Sequence, residues 1–146
     1  MQTVDEIVER AMRYCDLAGS KGMGAIRSHV DTCDDTLKGV EALLEVREKV
    51  KDYLGLQLVA FPQDGLLRSS TALENTKRAL DLGVDVVGGI PHFESTMADG
   101  ALSVRISCEL AAERGLMVDV HCDESDDPLS RHIETLAYET QRLGLQ

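Results

Sequence analysis

The residues with the clearest chemical potential are His121, Asp123 and Glu124, which directly follow the run Val118-Asp119-Val120. A β-branched run that ends in polar residues is typical of a buried parallel strand that delivers side chains at its carboxyl end. In a strand, His121 and Asp123 would point to one face and Cys122 to the other. Glu124 would lie where the strand gives way to a loop. A His with a Glu three residues later suits a metal ligand beside a carboxylate that carries protons.

Three further predicted strands also end in side chains that a buried strand does not need. In chain order these residues are His29 and Asp31, then Gln63, then His92 and Glu94. Because the carboxyl ends of parallel strands form the ligand-binding edge of α/β folds, we expect these side chains to converge with His121 on one site. Structural roles are also open: Gln63 could bond loop backbone, and Asp123 could cap a helix or order a loop.

The elements that must position these residues alternate along the chain. A helix begins at the capping box formed by Thr3 and Glu6, and strand–helix pairs then follow at roughly the 30-residue spacing of βαβ units. The predicted strands are 25–31, 56–61, 84–90 and the run from 118. The pattern predicts an α/β fold with about four parallel strands and five helices, in a single segment spanning residues 1–146.

Capping residues predict where two of the helices begin. Ser69 or Ser70 would cap the third helix, and Asp127 would cap the last helix with Pro128 at its first position. His132 would then lie inside the last helix, as a surface residue or one that packs against a neighbouring helix.

The composition limits the classes of partner. The chain is 43% hydrophobic and 28% charged, which fits an ordinary globular protein. A formal net charge of −11 argues against nucleic acid or an anionic membrane surface as a partner. With no Trp and two Phe, there is also little aromatic surface for stacking bases.

The cellular compartment is predicted from the cysteines and the apolar runs. The four cysteines have no Cys-x-x-Cys pair or zinc-finger spacing, which indicates free thiols in a reducing compartment. The first residues are acidic and amphipathic rather than a secretory signal, and no apolar run approaches the ~20 residues of a membrane helix. The cytoplasm is therefore the predicted location.

Four segments together carry a resemblance to a known enzyme family. They are Ile26–Asp31, Leu58–Gly65, Gly89–Glu94 and Asp119–Glu124. In this order they resemble the cytosine deaminases of the amidohydrolase superfamily, and the similarity continues through residues 126–135. The resemblance covers nearly the whole chain. It implies a (β/α)8 TIM barrel, of which these residues would supply strands two to five.

The resemblance also implies a hydrolytic deaminase that holds one divalent metal ion, either zinc or iron. It assigns metal binding to His121, proton transfer to Glu124 and hydrogen bonding of the pyrimidine edge to Gln63. A metal-activated water would attack the amino-bearing carbon of a small, cytosine-like substrate, while Glu124 protonates the ring nitrogen and then the leaving amine. Supporting roles near the site would fall to His29, Asp31, His92, Glu94 and Asp123.

The family pattern includes metal ligands that have no counterpart in this sequence. It places a His-x-His pair on the first barrel strand, a His on the sixth and an Asp on the eighth, and these 146 residues contain no His-x-His pair. With one of the four expected ligands, the chain by itself is expected to bind metal weakly and to be inactive. Open barrel edges are expected to favour self-association or a homo-oligomer.

Three other interpretations remain open on the sequence. The first is a related triazine or cyclic-amidine hydrolase of the isopropylammelide type. The second is a flavodoxin-like binding module, although no glycine-rich phosphate loop follows the first strand, which carries His29 rather than an acid pair. The third is a non-catalytic remnant that acts only in assembly.

Overall fold

In a computed structural model, which describes residues 2–145, four parallel strands form one sheet in the order β1-β2-β3-β4. Helices pack on one face of this sheet. None of the helices between residues 2 and 145 is long and apolar enough to span a membrane. The elements are α1 Val4–Ser20, β1 Ala25–Asp31, α2 Lys38–Val50, β2 Gly55–Phe61, α3 Ala72–Asp81, β3 Val86–Gly89, a 3₁₀ turn Pro91–Phe93, α4 Met97–Arg114, β4 Met117–Val120 and α5 His132–Leu143.

The register of the strands brings their carboxyl ends to one edge of the sheet. β1 and β2 pair over their whole length, from Ala25 with Gly55 to Asp31 with Phe61. β3 and β4 pair up to Gly89 with Val120. Residues that follow the four strands therefore emerge side by side, as the sequence predicts for the ligand-binding edge of a parallel sheet.

Alternation along the strands separates the apolar face that packs against the helices from a second face, called the polar face below, which is polar on the two outer strands but carries the buried Phe61 on β2. Val30, Leu58, Ala60 and Val87 are buried and belong to the core that the sheet forms with its helices. Their neighbours in sequence point to the opposite face of the sheet. On β1 and β4 that opposite face is polar, and it carries the residues of the candidate site.

The predicted start of α1 is confirmed. The Thr3 hydroxyl accepts a hydrogen bond from the Glu6 amide at 3.3 Å, and the Glu6 carboxylate accepts one from the Thr3 amide at 2.8 Å. This reciprocal pair is a capping box, which satisfies backbone donors that have no partner inside the helix.

The predicted caps of α3 and α5 are wrong. α3 begins at Ala72, and the Ser69 hydroxyl instead accepts the Thr71 amide in the turn before the helix. α5 begins at His132 rather than at Pro128, and the Asp127 carboxylate accepts the Leu129 amide in the preceding turn at 2.9 Å. Asp and Ser side chains order turns and helix starts by the same hydrogen bond, so sequence spacing alone does not separate the two.

Gly88 of β3 allows β2 and β3 to approach closely. A Cβ atom at this position would lie 2.5 Å from the Ala60 carbonyl oxygen and 3.0 Å from the Phe61 Cα. Both contacts are with backbone, so no side chain could move aside to relieve them. Gly88 is therefore a requirement of the sheet that positions the residues following β2 and β3.

We predict that Gly88→Ala lowers the free energy of unfolding by about 1–3 kcal/mol, the usual cost of overpacking a core. Urea denaturation of the variant and the wild type measures this difference. Gly24→Ala is the matched control, because nothing lies within 4 Å of a Cβ at that position. Equal unfolding midpoints for the two variants would contradict the prediction.

Candidate active site

Two imidazoles and a carboxylate meet on the polar face of the sheet. His29 comes from β1, Asp119 from β4, and His121 directly follows β4. One potential ligand atom from each residue lies within 4.8 Å of those from the other two. Imidazole nitrogen and carboxylate oxygen are donors that zinc and iron accept in proteins. The donor set of this cluster therefore fits a divalent transition metal.

The contact between β1 and β4 requires the sheet to be strongly curved. On a flat sheet these strands would be about 14 Å apart, three steps of about 4.8 Å. The Asp119 carboxylate nevertheless lies 2.7 Å from Nη1 of Arg27 and 3.3 Å from Nε2 of His29. The polar face is thus concave, and side chains from its two outer strands meet across it.

Asp119 is held as a carboxylate by its partners on β1. Burial alone would raise its pKa, but the hydrogen bonds from Arg27 and His29 outweigh burial and lower the pKa below its ordinary value. Arg27 is itself held in place, because its Nε donates to the Gln57 side chain at 2.7 Å. The ion pair between Arg27 and Asp119 is therefore a fixed part of the concave face.

The His121 ring lies on the concave face against two other rings. Its centroid lies 4.7 Å from that of Phe61 and 4.7 Å from that of His29. Phe61 is 2% exposed and also contacts His29 edge-on, with the centroids 5.0 Å apart. The His121 amide donates to the Gly89 carbonyl at 2.9 Å, which continues the pairing between β3 and β4 by one residue. The imidazole is therefore directed across the concave face toward β1 and β2.

Asp123 does not share a strand face with His121, which corrects the expectation from the sequence. β4 ends at Val120, and Asp123 has a positive φ of 58°, so the backbone turns away from the sheet. Its carboxylate accepts hydrogen bonds from the Ser130 hydroxyl at 2.7 Å, the His132 amide at 2.9 Å and the Ile133 amide at 3.0 Å. Asp123 therefore caps α5 from nine residues upstream, which is the helix-capping alternative that the sequence left open.

His132 is buried rather than on the surface. It is 2% exposed, and its Nδ1 lies 3.0 Å from the Asp123 carboxylate. Its Nε2 is enclosed against Gly100 of α4 and has no hydrogen-bond partner among the described residues. The helix-packing role is confirmed and the surface role is wrong.

Three of the predicted supporting residues order loops at the ends of the strands. Asp31 accepts the amide two residues further on at 2.8 Å. His92 Nδ1 lies 3.0 Å from the His121 carbonyl oxygen, within hydrogen-bond distance. The Glu94 carboxylate accepts the Leu66 amide at 2.6 Å. These side chains support the backbone around the site, whereas His29 joins the cluster itself.

Gln63 and Glu124 lie in loops at the same edge of the sheet. Gln63 follows β2 by two residues, Glu124 follows His121 by three, and both are exposed. Cys122, between His121 and Asp123, is half-buried, and burial raises the pKa of its thiol to about 11. Cys122 is not part of the cluster formed by His29, Asp119 and His121.

Sequence reasoning did not single out Arg27 or Asp119 as site residues. Each lies two positions before a histidine of the cluster, Arg27 before His29 and Asp119 before His121. Residues two apart in a strand point to the same face, so this spacing was the available signal. Neither spacing, however, indicates that β1 and β4 face each other across a concave sheet.

Comparisons with known proteins relate the whole chain to one family. Residues 3–146 match the model of the Amidohydrolase family. The structure of 5-methylcytosine deaminase from Klebsiella pneumoniae, liganded with phosphonocytosine, is 42% identical, with a TM-score of 0.96 over 99% of this chain and 35% of that one. N-isopropylammelide isopropylaminohydrolase from Burkholderia multivorans ATCC 17616 is 29% identical, with a TM-score of 0.77 over 93% of this chain and 34% of that one.

A curated relative gives the same coverage. N-isopropylammelide isopropyl amidohydrolase of Pseudomonas sp. (strain ADP) is 30% identical over 97% of this chain and 35% of its own length. The chain thus spans about a third of the length of each of these three relatives. The predicted fold class, an α/β segment of four parallel strands and five helices that forms part of a larger amidohydrolase fold, is confirmed.

We predict that Asp123→Asn destabilises the protein at neutral pH by about 1–2 kcal/mol, as loss of a helix cap does. The substitution replaces one carboxylate oxygen with an amide nitrogen, which cannot accept the hydrogen bonds that this oxygen accepts in the wild type. Burial acts to raise the pKa of Asp123, but the hydrogen bonds from Ile133, Ser130 and His132 lower it to about 2.

The pH dependence of this difference follows from the lowered pKa. The ionised carboxylate stabilises the folded state above the unfolded-state pKa of about 3.9, and this contribution is lost as the pH falls from about 4 toward about 2. Urea denaturation at pH 7, 5 and 3 should show the gap between wild type and variant narrowing only below about pH 4. Asp126→Asn, an exposed acid nearby, is the control, and a gap that does not change with pH would refute this role of Asp123.

Proposed function

Because the chain belongs to the amidohydrolase family, we propose that the protein carrying it is a metal-dependent hydrolytic deaminase of a cytosine-like nitrogen heterocycle. The main support is the cluster of His29, Asp119 and His121 at the edge of the sheet where the Gln63 and Glu124 loops also emerge. The 42% identity to a 5-methylcytosine deaminase, solved with phosphonocytosine and with 5-fluorocytosine, supports the substrate class.

We propose His121 as the metal ligand of this chain, with the His29 ring packed against it and Asp119 holding His29. The guanidinium of Arg27 lies 2.7 Å from Asp119 and neutralises that carboxylate, so Asp119 is better suited to orient its neighbours than to bind a cation directly. Residues that orient a metal-binding imidazole are a common feature of metal sites. A divalent metal held there would lower the pKa of a coordinated water toward neutral pH, and this is the chemistry that it would supply.

Glu124 is proposed to move protons during the reaction. It lies three residues after His121 in an exposed loop, within the same turn of chain that leaves β4. Its carboxylate would accept a proton from the attacking water and donate it to the ring nitrogen, which makes the amino-bearing carbon more electrophilic. The carboxylate would then take the second proton, from the hydroxyl of the tetrahedral adduct, and give it to the departing amine, which leaves as ammonia while the ring carbon becomes a carbonyl.

Gln63 is proposed to recognise the edge of the heterocycle. A primary amide donates and accepts hydrogen bonds at once, which matches the adjacent acceptor and donor of a lactam-type ring edge. A ring without the matching pair would leave the amide unpaired on binding, and such losses give strong discrimination. This role requires the Gln63 side chain to be presented toward the site by the loop that follows β2.

A substrate of the isopropylammelide type is the second candidate, favoured by two relatives at 29% and 30% identity. Release of ammonia or amine by the full-length protein from cytosine, 5-methylcytosine and N-isopropylammelide separates the two. We expect the highest kcat/KM with a cytosine. Hydrolysis of N-isopropylammelide alone would favour the second candidate, and hydrolysis of none of the three would overturn the proposal.

We predict that Glu124→Gln in the full-length protein lowers kcat by at least ~10²-fold, the usual scale for losing a general acid–base group. Metal content should not change, because the isosteric amide leaves His121 intact. Ammonia release and metal analysis by mass spectrometry measure the two quantities. Asp126→Asn, a nearby exposed acid with no assigned role, should keep wild-type turnover, and an unchanged kcat in Glu124→Gln would remove the role proposed for Glu124.

The 146-residue chain by itself is predicted to bind zinc weakly and to show no turnover. Its cluster offers two imidazoles and one carboxylate, and that carboxylate is already paired with Arg27. Metal analysis after dialysis should therefore find well below one equivalent of zinc. Retention of one full equivalent would contradict the prediction. Sedimentation of the same sample would also report whether the edge strands β1 and β4 promote the proposed self-association.

A further inference from the structure

We propose that Glu94 is a positioning residue that fixes the loop carrying Gln63 and thereby sets how tightly the heterocycle is bound. This inference rests on the recognition role proposed for Gln63. It assigns Glu94 no contact with the substrate. Its effect would pass through the backbone of the loop after β2.

The Glu94 carboxylate binds the backbone of that loop directly. One oxygen accepts the Leu66 amide at 2.6 Å and the Leu67 amide at 3.1 Å, and the second oxygen lies 3.2 Å from the Leu67 amide. Glu94 is half-buried and Leu66 is 3% exposed, so water competes poorly for these bonds. Hydrogen bonds to a charged acceptor are also stronger than those between neutral groups.

The same carboxylate packs against the turn that contains Gln63. The Gly65 amide donates to the Pro62 carbonyl at 2.9 Å, which closes a four-residue turn with Gln63 at its second position. Gly65 has φ +98°, and a Cβ there would lie 3.1–3.3 Å from the Glu94 carboxylate atoms. The carboxylate therefore constrains both the turn and the two residues that follow it.

A second contact links the same two segments. Nη1 of Arg68 donates to the Phe93 carbonyl at 2.9 Å, next to Glu94 in the chain. The loop after β2 is thus tied to the segment after β3 at two points. Gln63 is exposed, so the loop backbone determines where its amide is presented.

The expected consequence is a change in substrate affinity rather than in proton transfer. A looser loop lets the Gln63 amide sample more positions. This conformational freedom is lost when the heterocycle binds, and its loss weakens binding. We expect Glu94→Gln in the full-length protein to raise KM for its best cytosine substrate about tenfold, with kcat changed less than about threefold. The variant side chain has the same shape but replaces one acceptor oxygen with a donor.

Amide hydrogen exchange tests the contact without any assay of activity. In Glu94→Gln, exchange should become faster in residues 62–68, where the Leu66 and Leu67 amides lose the negative charge of their acceptor, and should be unchanged elsewhere. Glu113→Gln, which changes an exposed acid on α4, is the matched control. Arg68→Met, which removes the second contact, should shift exchange in the same residues and gives an independent variant should Glu94→Gln fold poorly.

A double-variant cycle tests whether Glu94 acts through Gln63. If it does, Glu94→Gln will raise KM in the wild-type background but not in a Gln63→Ala background. Unchanged exchange in residues 62–68 would overturn the inference, as would an equal rise in KM in both backgrounds or faster exchange without a rise in KM. Failure of the proposed function would instead appear as a wild-type protein that is inactive on every substrate tested.

Discussion

The ion pair between Arg27 on β1 and Asp119 on β4 depends on the curvature of the sheet, and the candidate site depends on the same curvature. Side chains on the outer strands of a flat four-stranded sheet would be too far apart to touch. Here they lie 2.7 Å apart, and the imidazoles of His29 and His121 come together beside them. Gly88 contributes because it lets β2 and β3 approach closely between the outer strands.

The polar residues at the ends of the strands divide into two groups by what they bind. Asp31, Glu94 and Asp123 accept backbone amides, and each orders the loop or helix start that follows a strand. Gln63 and Glu124 are exposed in the loops that these acids help to order. Carboxylates that bind amide groups thus build a rigid edge, on which the side chains proposed for recognition and proton transfer are carried.

Much of the fold could be predicted because it depends on local chemistry. The alternation of apolar residues placed β1 at the observed residues and β2 within one residue. The capping box at Thr3 could also be predicted, since it involves residues within one helical turn. The start of α5 could not be predicted in this way, because its cap is Asp123, which lies nine residues earlier on the far side of a loop.

The sequence by itself determined which strand ends carry polar side chains and that His121 and Glu124 lie close together after β4, since these are matters of order and short spacing. Only the tertiary structure decided which acid joins His121. Asp123 turns away to α5 with a positive φ, whereas Asp119 remains on the concave face and meets β1. The physical reason is that a contact across a curved sheet depends on the path of the whole backbone, whereas spacing along a strand reports only on its own faces.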